Sequence, residues 1–381
     1  MSFTADELEA GARDATGLSD FGSTYYREGL ERTVDALNTE AELNDLGRVM
    51  QHATTSNALM QRLRIVDTLK AHPEIHDEVV DGPIVVLGLP RTGTTALGQL
   101  VSADPQFRFL RTWESQAPTP PPETATQRTD PRIAQAAEGI AMVEQMFPDF
   151  KAIINSEAEA ATECQDLMGM SFRTFHFDGV VRVPSYVEWL LDCDMRETYQ
   201  FHKEALKLLQ WHCKPNLWLL RTPVHMFALD AFVDTYPNAK FLWSHRDPAK
   251  VLGSVCSLIA YVRSWSSDYR DNAELGAEQL AWWSEGIKRA MDFRKKFGDD
   301  RFVDVSFADL QTDPVGTVAK SYRELGLTFS DESRARVQDW AGGHQPGHRG
   351  AHNYELEDYG LTPEQVRETF GEYLAAYDAS A

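Results

Sequence analysis

The sequence predicts an α/β fold: a P-loop-like parallel sheet flanked by helices, with an added helical layer at the N-terminus. Three observations lead there. Short apolar runs rich in β-branched and aromatic residues recur along the chain, as buried parallel strands do. Amphipathic helical stretches alternate with them, the pattern of a sheet covered on both faces. One run passes through a Gly/Thr-rich turn straight into a helix, at Gly88-Leu89-Pro90-Arg91-Thr92-Gly93-Thr94-Thr95.

The elements follow in order. Residues from about 5 to 78 read as helical, with Leu43, Leu46, Val49 and Met50, then Leu59, Leu63, Val66 and Leu69, at helical spacing. His72-Pro73 ends this part, so residues 1–80 form the N-terminal layer and 81–381 the α/β domain. Strands are expected over Pro83–Leu89, Phe107–Leu110, Leu217–Leu220, Lys240–Ser244 and Arg301–Val305. A helix beginning near Ala96 follows the first, and helices over 249–263 and 275–297 follow the fourth. The Pro118 to Pro122 stretch must be extended or loop. Residues 130–147 resume a helix with Ile133, Ala137, Ile140 and Val143 on one face. Together the residues from about 118 to 210 form a helical insertion on the expected acceptor side.

Charge narrows the partners. Lys and Arg total 37 against 58 Asp and Glu, a formal net charge of -21 over 381 residues. Such a surface repels nucleic acid and anionic polysaccharide, which points to a neutral or apolar small molecule. Cys164, Cys193, Cys213 and Cys256 are far apart and lack metal-ligand spacing, as expected of reduced thiols in a cytoplasmic protein. The acidic start MSFTADELEA has no apolar core, and no run is long enough to span a bilayer. A peripheral membrane contact remains compatible with this.

The Gly/Thr turn almost fits the Walker A pattern but places Thr94 where that pattern has lysine. Backbone amides of residues 92–95, two hydroxyls and the Arg91 guanidinium form a phosphate cradle. Three readings stand at this point: a turn without a ligand, a P-loop kinase or nucleotidase using ATP and Mg²⁺, and another anion site.

The segment from Pro90 to Thr95 resembles the 5′-phosphosulfate loop of sulfotransferases that use 3′-phosphoadenosine-5′-phosphosulfate (PAPS). Arg246, after the fourth strand, and Ser254, eight residues on, resemble the pair that holds the 3′-phosphate in that family. Leu219-Leu220-Arg221-Thr222-Pro223-Val224-His225 is similar to its strand-LysSerPro-x-His segment, with Arg221 replacing lysine. His348-Arg349-Gly350 stands where the family has an ArgLysGly triplet, in a context similar to the bacterial, mycobacterial-type branch.

The resemblance implies the sulfotransferase fold and in-line sulfuryl transfer from PAPS to a hydroxyl of a small-molecule or lipid acceptor. No metal is implied. Arg91, Thr92, Gly93, Thr94, Thr95, Arg221, Arg246, Ser254, His348, Arg349 and Gly350 are the implied nucleotide contacts. Glu114, placed like a catalytic glutamate of Golgi sulfotransferases, and His225 compete as base. Met142, Met146, Phe147, Phe150, Met168, Met170, Phe172 and Phe175 are candidates to line a lipid groove, or ordinary core. A catalytically inactive nucleotide- or lipid-binding module is the remaining alternative.

Overall fold

Five parallel strands form the sheet: β1 (Ile84–Gly88), β2 (Phe107–Phe109), β3 (Leu217–Arg221), β4 (Lys240–His245) and β5 (Phe302–Ser306). Their order is β2-β3-β1-β4-β5. The computed structural model describes residues 3–150, 156–213, 217–343 and 354–377. The three central strands, β3, β1 and β4, fall on predicted apolar runs because both of their faces are covered. Val85 and Leu87 of β1, with Phe241 and Trp243 of β4, join one hydrophobic cluster. Ile84, Val86 and Leu242 join the other. A strand buried on both sides has no polar alternate, so it reads as continuous apolar sequence.

The chain leaves β1 through helix α4 (Thr94–Ser102) toward β2, and leaves β4 in the opposite direction toward β5. β1 and β4 are neighbours, with Gly88 opposite Ser244. Their carboxyl ends therefore bound the crevice where strand order reverses, the usual ligand position in open α/β sheets.

Leu97, Leu100 and Val101 of α4 cover one face of the sheet together with Val318, Tyr322 and Leu325. The other face carries the larger core. The N-terminal helices α1 (Ala5–Thr16), α2 (Tyr25–Thr39) and α3 (Asp45–Ala71) join that core through Leu8, Leu30, Leu37, Leu59 and Leu63. Thr4 caps α1 and Asn44 caps α3, each accepting a first-turn N–H through its side-chain oxygen. Arg62 of α3, only 3% exposed, rivets the layer to the rest. It donates to the carbonyls of Phe21, Ser23 and Met170 and lies over the rings of Tyr26 and Phe201. Burial pulls its guanidinium down to about 10.

The insertion corrects one expectation. Helix α6 (Pro131–Met146) forms as predicted but buries only Arg132 and Ala136, leaving Met142 61% and Met146 47% exposed. Met168, Met170 and Phe172 are core residues. Phe147 stacks on Trp265 and Phe150 meets the same ring edge-on. The predicted Met/Phe set is therefore divided among surface, core and an aromatic cluster rather than lining one groove. No helix among the described residues is long and apolar enough to cross a membrane.

Candidate active site

The turn after β1 is built by close approach and by unusual backbone angles. Gly88 has φ 143°, and a Cβ there would stand 2.6 Å from the Ser244 carbonyl oxygen. Only glycine lets β1 end so near β4. The N–H and hydroxyl of Thr92 both donate to the Leu89 carbonyl, at 3.3 and 2.7 Å. The Ser244 hydroxyl donates to the Thr92 carbonyl. Thr92 is fully buried, so its side chain shapes the turn from within. Arg91 stands at φ 68° and Gly93 at φ 91°. A non-glycine residue in that region is strained, and such strain clusters at functional sites. Here Arg246 Nη1 donates to the Arg91 carbonyl at 3.0 Å and holds it there. Gly93 is the N-cap of α4 and carries no capping side chain. The first-turn amides and the positive end of the helix dipole are left to receive an anion.

The second half of the site follows β4. Asp247 accepts the Ala249 N–H at 2.9 Å and starts the helix Pro248–Ser266. Ser254 lies two turns along that helix. Arg91 Nε donates to Ser254 Oγ at 3.0 Å. The Arg246 guanidinium lies 4.2 Å from the Phe307 ring centroid, and burial lowers its pKa. The structure thus brings Arg91, Arg246 and Ser254 together at the ends of two adjacent strands.

Arg221 closes the third side from the end of β3. Its Nη1 donates to Thr95 Oγ1 at 2.7 Å and its Nη2 to the Ala161 carbonyl at 3.0 Å. Gly98 of α4 makes room for it, since a Cβ there would sit 2.7 Å from Arg221 Cδ. Glu163 is the residue that sequence reasoning missed. Its Oε1 lies 3.5 Å from Arg221 Nη1. Its Oε2 accepts from Thr222 Oγ1 and from Gln165 Nε2, each at 3.0 Å. The side chain keeps 29% exposure. Nothing in the local pattern of residues 156–164 marks this carboxylate, because folding alone brings it to the end of β3. Beside it, Asp166 accepts from Ser115 Oγ at 2.5 Å, and burial raises its pKa.

The two predicted bases sit differently. Glu114, in the short helix α5 (Thr112–Gln116), is 0% exposed. One oxygen takes Arg108 Nη2 at 2.8 Å and Arg111 Nη1 at 3.4 Å; the other accepts the Arg111 N–H at 3.2 Å. Both oxygens are engaged by the protein. His225 lies in the short helix Pro223–Phe227 and is fully buried. Its Nδ1 meets the Tyr199 hydroxyl at 3.1 Å, and its Nε2 has no partner among the described residues. Burial, with His202 nearby, pushes its pKa well below the usual value. His348, Arg349 and Gly350 lie outside the described residues. Among those residues, no group of three or more His, Cys, Asp or Glu is placed to hold a metal ion.

Comparison with known proteins finds the same fold elsewhere. The chain is 36% identical to sulfotransferase STF1 of Mycobacterium tuberculosis H37Rv, whose crystal structure superposes with a TM-score of 0.88 over 97% of this chain and 99% of that one. Sulfotransferase STF9 of Mycobacterium avium gives 32% identity and a TM-score of 0.88, covering 98% and 97%. The omega-hydroxy-beta-dihydromenaquinone-9 sulfotransferase Stf3 of Mycobacterium bovis is 24% identical over 308 residues, which are 78% of this chain and 76% of the relative. The model of the sulfotransferase family matches residues 83–331, a span holding β1 to β5 and every residue just placed around the crevice. With that match across the whole sheet, the chain belongs to the sulfotransferase family.

Proposed function

We propose that this protein transfers a sulfuryl group from PAPS to a hydroxyl of a small-molecule or lipid acceptor. One observation carries the reading: the Arg91 turn and the Arg246/Ser254 pair share a crevice, linked by the Arg91–Ser254 hydrogen bond. A ligand gripped at both points carries two separated anionic groups. PAPS has them at its 5′- and 3′-positions, whereas ATP has no 3′-phosphate. Thr94 in place of lysine weighs further against a kinase.

In the transfer, the acceptor oxygen attacks sulfur in line as the bond to the 5′-phosphate oxygen breaks. Charge builds on that phosphate. Arg91, the α4 amides and the Arg221–Thr95 pair are fixed dipoles and charges at that point, and need little rearrangement to stabilise it. The acceptor hydroxyl gives up its proton to a base. Glu163 suits that role better than Glu114 or His225. It is partly exposed and one guanidinium away from the turn, whereas the other two are sealed in the core. A lipid alcohol as acceptor draws support from the Stf3 relative, whose name specifies a menaquinone derivative.

Titration calorimetry with adenosine 3′,5′-bisphosphate and with ATP, each with and without Mg²⁺, tests the donor assignment. The bisphosphate is expected to bind without metal and at least about tenfold more tightly than ATP, the value of one charge-assisted contact. Tighter, Mg²⁺-dependent ATP binding would overturn the assignment.

A further inference from the structure

The end of β4 is held by a chain of hydrogen bonds that reaches the site from behind. His245 is 5% exposed and directly precedes Arg246. Its Nε2 lies 2.9 Å from Asp304 Oδ1 on β5, and its Nδ1 lies 3.0 Å from the Tyr373 hydroxyl. Asp304 also takes both Nη groups of Arg294, at 2.6 and 2.9 Å. These partners fix the direction of every bond. A carboxylate paired to arginine only accepts, so the imidazole proton sits on Nε2. Nδ1 is then an acceptor, and the Tyr373 hydroxyl donates to it. The ring that Tyr373 and Asp304 hold between them belongs to the residue that directly precedes Arg246. Burial lowers the His245 pKa despite Asp304, which keeps the ring neutral as this pattern needs.

The helix Gly371–Tyr377 that supplies Tyr373 is fastened at other points too. Tyr377 stacks on His245 with ring centroids 4.4 Å apart. In the preceding helix, Arg367 pairs with Asp247 at 2.8 Å, the residue after Arg246. Tyr354 lies against Gly253, one residue before Ser254, where a Cβ would come within 2.9 Å of its ring. The C-terminal segment thus touches the chain on both sides of the Arg246/Ser254 pair.

We infer that Tyr373 is a positioning residue for the nucleotide. Its hydroxyl donates to His245, which Asp304 holds from the other side, and this anchors the chain at the residue before Arg246 and aims that guanidinium at the 3′-phosphate. This rests on the donor assignment above. Packing alone would make Tyr373 important for stability without distinguishing one nucleotide from another. Positioning of Arg246 makes the effect depend on the 3′-phosphate.

The test measures Tyr373→Phe against the unaltered protein with two ligands, adenosine 3′,5′-bisphosphate and adenosine 5′-monophosphate. The variant is expected to lose roughly five- to tenfold in affinity for the bisphosphate, the scale of one buried hydrogen bond. Monophosphate affinity should hold within about twofold, and KM for PAPS should rise without a matching fall in kcat. Asp304→Asn, which weakens the acceptor for His245, should lower bisphosphate affinity in the same selective way. Equal losses for both ligands, or none, overturn the inference. If the unaltered protein itself does not prefer the bisphosphate, the donor assignment fails first, and that result is distinct from the other two.

Discussion

Glu163 and Glu114 are both carboxylates beside arginine, one 29% and the other 0% exposed, and we propose different work for them. Glu163→Gln is expected to lower kcat by about a hundredfold or more, as loss of a positioned base does, with bisphosphate affinity nearly unchanged. Glu114→Gln is expected to act on folding. It would leave Arg108 and Arg111 in a buried setting without their anion, at a cost of about 3–5 kcal/mol, read as a lower melting temperature. Retained activity in Glu163→Gln together with loss in a well-folded Glu114→Gln would reverse the two roles. In the sequence, Arg91 stood out in the strand–turn–helix pattern, whereas Arg246 and Ser254 stood out only through the resemblance that places such a pair after a strand end. The sequence could not reveal Glu163, whose place is set by contacts to Arg221 and Thr222 some sixty residues away.

At the scale of elements, the strands were readable and the helix faces were not. Burial on both sides writes itself into β1, β3 and β4 as unbroken apolar runs. A helical period shows that one face is apolar but not what covers it, so α6 was legible as a helix while the exposure of Met142 and Met146 was not. His225 shows the same limit, since the turn Pro223–Phe227 carries it inward against Tyr199 and Phe232. Helix α4 offers a sharp test. Gly98→Ala should favour the helix by up to about 1 kcal/mol through propensity alone. Yet the new methyl would meet Arg221 Cδ and push that side chain off Thr95. The expected result is an unchanged or modestly raised melting temperature with kcat/KM reduced about tenfold, the cost of one misaligned charged hydrogen bond. Unaltered kcat/KM would show that Arg221 has no part in transfer.

Across the whole molecule, acidity has a cost inside as well as outside. Glu278 lies among Asp178, Arg263, Glu274 and Arg182, and burial followed by Asp178 raises its pKa to about 7 from 4.5. Between those values the unfolded chain sheds a proton that the folded chain keeps. Stability therefore falls as pH rises through this window, by about 3 kcal/mol at most. Glu278→Gln should raise the melting temperature at about pH 8, and the gain should vanish near the unfolded pKa; an equal gain at both ends would remove Glu278 as the cause. Inside the crevice the balance is the opposite, with Arg91, Arg221 and Arg246 gathered in a protein of net charge -21. The bond from Arg91 to Ser254 links its two ends like a latch. On the proposed reading a 3′-phosphate at Ser254 takes the hydroxyl's hydrogen while Oγ goes on accepting from Arg91, so one serine ties the 3′-end of the donor to the turn that holds its 5′-end. Adenosine 5′-phosphosulfate, which lacks that group, would leave the serine's hydrogen without its anion and act as a loosely tethered look-alike of the proposed donor.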